Sequence, residues 1–318
     1  MSKRSLLAAL AMLAGLFAGV TPASAATITE VTGFGSNPGN LKMFRYLPDN
    51  LPTNRPLVVA LHGCTQTASY GNDSGWVELA QRFHFALLLP EQQQANNASR
   101  CFNWFQAGDI TRGQGEAESI AQMVRRMLAD TAADPARVAV TGLSAGGAMT
   151  AVMLATYPEL FSGGGVVAGL PYRCATTMID AFSCMNPGKN LAPAQWGDLV
   201  RAASSHRGPW PTVSIWHGTM DFTVATANQR ELVDQWTNVH GISQTPSATD
   251  TVAGFPHAMY RDQSGRTLVE TYSITGMGHG QPVDPGTATG QCGHATAFVL
   301  DVNSCAAWWL TSGWHFDS

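Results

Sequence analysis

The sequence has 318 residues, with 18 Lys and Arg against 22 Asp and Glu, a formal net charge of −4 at pH 7. No basic run occurs along it, which argues against nucleic acid as a partner. Once an N-terminal leader is set aside, about 290 residues remain, enough for one large α/β domain. Removing the two basic residues of that leader leaves 16 bases against 22 acids and a net charge of −6.

The first residues have the pattern of a secretion signal. Lys3 and Arg4 precede an apolar stretch at 6–20, and small residues ending at Ala25 form a cleavage site. The stretch is short for a membrane span, although an uncleaved anchor is the alternative. We therefore expect a signal peptide at 1–25, and an exported chain, extracellular or periplasmic, with no membrane anchor after cleavage.

Apolar runs alternate with helical segments along the rest of the chain. In chain order we expect buried strands at 57–61, 85–90, 138–140, 163–168 and 212–218, and helices at 76–83, 116–129, 145–155, 228–239 and 301–310. We further expect an entry strand or two within 26–56, a loop-rich excursion at 170–210, and a hairpin from 257–261 and 267–274. This alternation predicts a mostly parallel central sheet with helices on both faces, in a single catalytic domain at 26–318.

The chain contains 6 cysteines, which in an exported protein predict disulfides. Six cysteines can pair in fifteen ways. The preferred set closes loops between sequence neighbours and consists of Cys64–Cys101, Cys174–Cys184 and Cys292–Cys305. Since no Cys-x-x-Cys spacing occurs, a zinc site is not expected.

A Gly-x-Ser-x-Gly sequence separates the strand at 138–140 from the helix at 145–155. Ser144 lies at its centre, between Gly142 and Gly146. In a strand–turn–helix context this pattern predicts an exposed serine on a tight turn, where side chains at the two glycine positions would collide with neighbouring backbone. The positive end of the helix dipole favours the negative charge that develops there during acyl transfer. Ser144 is therefore the candidate nucleophile.

A serine nucleophile needs a base, and the base needs an orienting acid; in α/β-hydrolases they follow in the order Ser, acid, His. Asp221, just past the strand at 212–218, is the candidate acid. His279 follows the strand that ends at residue 274 and is the candidate base, with His294 as second choice. We expect His217, at the end of its strand, to be structural.

The oxyanion of an acyl-transfer intermediate requires two converging backbone N–H groups. One candidate donor is Ala145, directly after the nucleophile. The other is Cys64, in the loop that follows the strand at 57–61. If this second assignment fails, Cys64 is structural only.

Five segments together resemble the esterase family of extracellular poly(3-hydroxybutyrate) depolymerases, which also takes in feruloyl and acetylxylan esterases. They are His-Gly-Cys-Thr-Gln at 62–66, Leu-Leu-Pro-Glu-Gln at 88–92, Cys-Phe-Asn-Trp-Phe at 101–105, Gly-Leu-Ser-Ala-Gly-Gly-Ala at 142–148 and Trp-His-Gly-Thr-Met-Asp at 216–221. The similarity extends over roughly residues 40–310, so it is far more specific than the serine motif alone.

The resemblance implies an α/β-hydrolase fold, Ser144, Asp221 and His279 as the catalytic triad, and Cys64 as an oxyanion donor. It also implies that Trp104 contacts substrate, and we place Asn103 beside it as a second candidate. Trp104 offers a flat apolar surface for an alkyl or aromatic acyl group, although it could equally be a core residue. No metal or organic cofactor is implied.

The substrate that the resemblance favours is a polyhydroxyalkanoate polyester or its oligomers. Polymer-degrading members usually add a polymer-adsorbing domain that this sequence does not show, so soluble oligomers, amorphous polymer and other esters stay open. The alternatives are a feruloyl or acetylxylan esterase, a hydrolase of another polymer such as poly(aspartic acid), and a peptidase or amidase. Outside enzymes, the alternative is a non-catalytic polymer-binding protein on a hydrolase scaffold.

Overall fold

The apolar runs of the sequence form the middle of a ten-stranded sheet in a computed structural model that describes residues 27–318. The signal peptide predicted at 1–25 lies outside the described residues. The strands are β1 Thr29–Val31, β2 Lys42–Tyr46, β3 Leu57–Leu61, β4 Ala86–Glu91, β5 Val138–Leu143, β6 Gly163–Val167, β7 Thr212–Gly218, β8 Ala248–Val252, β9 Phe255–Arg261, β10 Thr267–Ile274, β11 Gln281–Val283 and β12 Val299–Asp301. The last two pair with each other in a separate small sheet.

Strand order in the large sheet is β1-β2-β4-β3-β5-β6-β7-β10-β9-β8. The six strands from β4 to β10 in that order run parallel, and antiparallel strands flank them on both sides. Because parallel strands end at one edge of a sheet, the loops after β3, β5, β7 and β10 converge there. These loops carry Cys64, Ser144, Asp221 and His279, and the loop after the parallel strand β4 carries Asn103 and Trp104.

Helices cover both faces of the sheet, as strands that are apolar on both sides require. The helices are α1 Tyr70–Asp73, α2 Trp76–Phe83, α3 Gly115–Thr131, α4 Ala145–Thr156, α5 Met178–Met185, α6 Pro193–Arg201, α7 Ala227–His240 and α8 Ala306–Gly313, with a 3-10 turn at Pro158–Leu160. Residues of α3, α4, α6 and α7 pack in one core cluster, and those of α1, α2 and α8 in the other. Among residues 27–318, every helix is too short or too polar to span a bilayer.

The expected loop at 170–210 is wrong in part, because it contains α5 and α6. In α5 the Thr177 side chain accepts a hydrogen bond from the Asp180 N–H at 3.2 Å, which caps the helix. Apolar residues occupy its exposed face as well as its buried face, so the segment lacks the one-sided pattern that predicts a helix. In α6, Pro193 at the first turn and buried Trp196 and Val200 define the helix.

A helix boundary and a strand also differ from expectation. The last helix begins at Ala306 rather than near 301, because residues 299–301 pair with 281–283 as β12 and β11. Strand β8 was not predicted: it extends the hairpin of β9 and β10 into a three-stranded edge. Its residues are exposed or half-buried, so no apolar pattern identifies it.

The structure joins the cysteines in the pairs that the sequence analysis preferred: Cys64–Cys101, Cys174–Cys184 and Cys292–Cys305. The first connects the loop after β3 to the loop that carries Trp104. The second encloses most of α5, which fixes this exposed helix to the chain on its N-terminal side. Two of the three bridges therefore stabilise segments at the carboxyl edge of the sheet.

His257 forms an ion-pair cluster on the edge hairpin, and we expect it to make stability depend on pH. Its Nδ1 lies 2.7 Å from Asp250 Oδ1 and its Nε2 3.1 Å from Glu270 Oε2. Burial lowers the pKa of this imidazole, but the hydrogen bonds to the two carboxylates outweigh burial and raise the pKa above 6.5. A raised folded-state pKa stabilises the protein below the unfolded-state pKa, and the contribution disappears as pH rises through the folded-state value.

We therefore expect His257→Gln to lower the free energy of unfolding by about 1–2 kcal/mol near pH 6 and by less near pH 9. Urea unfolding of both proteins at the two pH values, with disulfides intact, measures the difference. His84→Gln is the control, since no carboxylate pairs with that histidine among the described residues. An equal effect of His257→Gln at both pH values would contradict the prediction.

Candidate active site

Ser144 occupies the turn between β5 and α4, with φ 58° and ψ −116°. A non-glycine residue at positive φ is strained, and such strain is common at functional sites. A Cβ at Gly146 would lie 2.2 Å from the Leu61 carbonyl oxygen, and one at Gly142 would lie 2.5 Å from the backbone of Gly146. The two glycines therefore allow the turn to pack directly against β3, as the sequence motif predicts.

Ser144, His279 and Asp221 form one hydrogen-bonded chain. His279 Nε2 lies 2.9 Å from Ser144 Oγ, and His279 Nδ1 lies 2.7 Å from Asp221 Oδ2. Ionised Asp221 can only accept a hydrogen bond, so His279 carries its proton on Nδ1 and donates it to Asp221. Nε2 is therefore unprotonated and can take the proton of Ser144. The three candidates from the sequence therefore meet in the geometry that activates a serine nucleophile.

The environment of Asp221 favours its ionised form. Its Oδ1 accepts hydrogen bonds from the backbone N–H groups of Thr223 and Val224, each at 2.9 Å. Burial raises the pKa of this carboxyl, but the hydrogen bonds from His279 and the backbone, with the nearby imidazoles, lower it below its ordinary value. Asp221 is thus poised to stabilise a positive charge on His279.

His217 is buried beside this acid and holds the turn that carries it. Its Nε2–H donates to the Val224 carbonyl at 2.9 Å and lies 3.5 Å from Asp221 Oδ2. Burial lowers the pKa of His217, so the ring is neutral at ordinary pH. This is the structural role expected from its position at the end of β7.

The N–H groups of Cys64 and Ala145 are the candidate oxyanion donors, and within residues 27–318 both are free to accept this role. Neither N–H donates a hydrogen bond to another group in the described part of the chain. Both residues line the cavity that contains Ser144, and Ala145 is the first residue of α4. Unpaired N–H groups at a helix N-terminus and on a facing loop suit a developing oxyanion.

The loop that carries Cys64 depends on buried His62, to which the motif at 62–66 assigned no role of its own. His62 Nδ1–H donates to the Gly63 carbonyl at 2.7 Å, and its Nε2 accepts from the Gln92 N–H at 3.0 Å. Burial lowers the pKa of His62 to about 4, so the ring stays neutral and keeps this pattern. The bond to Gln92 spans 30 residues; both residues belong to segments that carry the family resemblance, but neither segment by itself predicts the bond.

Ser144 lines two apolar cavities. The larger is about 500 Å³ and includes Trp104, Phe105 and Phe182 in its lining. The smaller is about 120 Å³ and lies between Ser144, His279 and Phe298. An ester whose carbonyl carbon lies beside Ser144 can therefore place its acyl group in one cavity and its alcohol group in the other.

Of the two substrate-contact candidates, Trp104 lines the larger cavity and Asn103 does not. Trp104 packs edge-to-face on Phe105, with ring centroids 5.4 Å apart, and is 5% exposed, so it is a core residue that also lines the cavity. The amide of Asn103 is used within the protein: Nδ2 donates to Glu116 at 2.8 Å, and Oδ1 accepts from Asn97 at 3.1 Å. Asn103 therefore stabilises the loop that carries Trp104 and does not contact the cavity.

Glu116, at the start of α3, is the buried partner of this loop. It accepts hydrogen bonds from the backbone and side chain of Asn103, each at 2.8 Å, and from the Gln92 side chain. Burial, reinforced by the charge of Asp109, raises the pKa of Glu116 to about 8. Its residue type and position on a helix do not reveal this role, because all its partners lie in other segments.

We expect Glu116→Gln to lower the free energy of unfolding by about 2 kcal/mol. Both carboxyl oxygens accept from N–H donors, so the amide NH₂ of Gln would face a donor in either orientation. Urea unfolding at pH 9 measures the loss, because Glu116 is ionised above its raised pKa and both oxygens are then acceptors. Glu30→Gln is the control, because Glu30 is exposed and pairs with Lys42 at 3.8 Å. Equal effects of the two substitutions would contradict the prediction.

The fold and this geometry define a class: the protein is a serine hydrolase of the α/β-hydrolase fold. Within that class its family is clear as well. The chain belongs to the family described as esterase PHB depolymerase, whose model matches residues 41–254. The resemblance that the sequence motifs suggested is thereby confirmed.

Comparison with individual proteins gives the same result. The chain is 57% identical over 292 residues to poly(3-hydroxyalkanoate) depolymerase C of Paucimonas lemoignei, covering 92% of this chain and 70% of that one. It is 38% identical over 268 residues to an acetylxylan esterase of Coprinopsis cinerea, covering 81% and 70%. Among solved structures it is similar to the acetyl xylan esterase from Aspergillus awamori, with a TM-score of 0.73, 30% identity, and coverage of 80% of this chain and 94% of that one.

Proposed function

We propose that this protein is a secreted depolymerase that hydrolyses poly(3-hydroxybutyrate)-type polyester or its oligomers. Residues 26–318 would form its single catalytic domain after removal of the signal peptide. The observation that carries the proposal is the Ser144–His279–Asp221 chain opening onto an apolar cavity. The relative with 57% identity is a poly(3-hydroxyalkanoate) depolymerase, which supports the same substrate class.

In the proposed mechanism Ser144 Oγ attacks the ester carbonyl as its proton passes to His279 Nε2. Asp221 stabilises the imidazolium, and the N–H groups of Cys64 and Ala145 hold the oxyanion. His279 then donates the proton to the leaving alcohol, which completes the acyl-enzyme. Water attacks the acyl group by the reverse sequence, and the acid product leaves with Ser144 regenerated.

The chemistry of the cavities supports an uncharged, aliphatic acyl group. Trp104, Phe105, Leu170 and Phe182 contribute apolar surface to the larger cavity, which suits the alkyl side groups of a hydroxyalkanoate. Among residues 27–318, no Lys or Arg lines either cavity beside Ser144. A polyanion such as poly(aspartic acid) would lack a cationic partner there, so it fits the site less well.

An acetylxylan or feruloyl esterase is the second candidate. The similarity to two acetylxylan esterases, one of them a solved structure, favours it. The aromatic pair Trp104 and Phe105 could also contact an aromatic acid. Both candidates use the same residues, so they differ in substrate rather than in mechanism.

The test compares the mature protein with its Ser144→Ala variant on four substrates. These are amorphous poly(3-hydroxybutyrate), a soluble hydroxybutyrate trimer, acetylated xylan and a feruloylated oligosaccharide, with acid release as the readout. Ser144-dependent release from the polymer or the trimer is expected. Release only from acetylated xylan or the feruloyl ester would replace the proposal with the second candidate.

A further inference from the structure

Six large apolar side chains are strongly exposed in the described part of the chain, and all lie in segments that border Ser144. They are Met178, Ile179, Phe182, Met220, Phe222 and Phe298, which we call the apolar rim. Ile179 is 82% exposed and Phe222 75%. Exposed apolar residues that cluster in one region mark an interaction surface.

The rim segments are joined by hydrogen bonds. The Ala225 N–H donates to the Met185 carbonyl at 2.7 Å, and Asn186 Nδ2 donates to the Phe222 carbonyl at 3.0 Å. These bonds join the end of α5 to the loop that carries Asp221. On the other side, the Phe298 ring lies 6.3 Å from the His279 ring. The rim therefore consists of fixed segments on both sides of the catalytic groups.

The rim is continuous with the cavities beside the nucleophile. Met178 and Phe182 line the larger cavity, and Phe298 lines the smaller one. Ile179 and Phe222 line neither, so they face outward without a role in enclosing the substrate. Core packing does not account for this apolar face, because the buried face of α5 is formed by Ala181 and Cys184.

Charge defines what this surface can bind. Within 178–185, 220–225 and 296–300 the charged residues are Asp180 and the buried Asp221. Such a surface gains from contact with an uncharged, water-insoluble material and offers no partner for a polyanion. Contact over the rim would also bring a polymer chain directly to the openings of the two cavities.

We propose that the apolar rim adsorbs the catalytic domain directly to the surface of a solid, uncharged polyester, so that a chain leaving this surface enters the cavity at Ser144. This inference rests on the proposed depolymerase function. It assigns to the catalytic domain a surface-binding activity that is separate from ester hydrolysis. The residues that decide it are Ile179 and Phe222, which touch the solid but not the scissile bond.

The test uses Ile179→Ser and Phe222→Ser, singly and together. Adsorption isotherms on poly(3-hydroxybutyrate) particles are measured in the Ser144→Ala background, so that hydrolysis does not alter the surface. We expect a loss of affinity of about tenfold for each substitution and more for the pair, as the burial of one large apolar side chain predicts. With Ser144 present, kcat/KM for soluble p-nitrophenyl butyrate should stay within about twofold of the starting value.

Leu199→Ser is the control, at a half-buried leucine outside the rim that packs against the core. It removes an apolar side chain from α6, none of whose residues lines a cavity beside Ser144. Adsorption of this variant should be unchanged, and thermal unfolding of every variant verifies the fold. Equal adsorption of the double variant and the parent would overturn the inference while leaving polymer hydrolysis by the parent, and thus the proposed function, in place.

Three other results would also overturn it. If the parent sediments as a dimer that the double variant cannot form, the rim is an interface between two copies of the chain. If the parent releases acid from acetylated xylan and neither binds nor hydrolyses the polyester, the proposed function fails together with this inference. Equal adsorption to cellulose particles would show that the rim does not select polyester.

Discussion

Ser144→Ala is expected to lower kcat/KM for a soluble ester by about a millionfold, the loss seen when a serine nucleophile is removed from a triad that acts as a unit. The backbone of Ser144 already has φ 58°, and alanine tolerates this angle no worse than serine does. The free energy of unfolding should therefore stay nearly constant. The activity loss can then be attributed to the missing hydroxyl group, which lies 2.9 Å from His279 Nε2.

Initial rates with p-nitrophenyl butyrate measure the effect, and a fluorophosphonate probe gives an independent readout. The probe should label the parent and fail to label Ser144→Ala. Ser183→Ala, at an exposed serine of α5, is the control and should keep both activity and labelling. Full activity in Ser144→Ala would show that another residue is the nucleophile. Absence of labelling in the parent would favour a non-catalytic polymer-binding protein.

The candidate site was predictable from sequence where each residue belongs to a local pattern. Ser144 sits between two glycines that only a tight turn requires, and Asp221 and His279 directly follow strands. The order of these three residues along the chain then indicates one class of hydrolase. Their meeting in space follows from the topology, because β5, β7 and β10 are parallel and end at one edge.

The residues that support the site were not predictable in the same way. His62 and Glu116 act through bonds to Gln92 and Asn103, in other segments of the chain. A glutamate in the first turn of a helix is usually exposed to solvent. The neighbouring sequence does not show that Glu116 is buried instead. Helix α5 was missed for a related reason: its outer face is apolar, so the pattern that separates helix from loop is absent.

Two histidines were candidates for the catalytic base, and replacing the correct one should cause a second large loss of activity. His294 was the second candidate for the base, and the structure places it far from that role: its side chain is 62% exposed, and its Nε2 lies 3.7 Å from Asp73 Oδ1. His279 instead bridges Ser144 and Asp221. We expect His279→Ala to lower kcat/KM by about a millionfold, since a serine without its base is as inactive as no serine.

His294→Ala should keep kcat/KM within about twofold, because an exposed histidine paired with one partly exposed carboxylate contributes little. The measurement is the rate of acyl-enzyme formation in a single turnover, which isolates the first proton transfer from product release. Loss of that rate in His279→Ala, with no loss in His294→Ala, assigns the proton transfer to one imidazole. The opposite pattern would require a rearrangement that brings the loop of His294 to Ser144, against its backbone N–H bond of 2.9 Å to the Asp73 carbonyl.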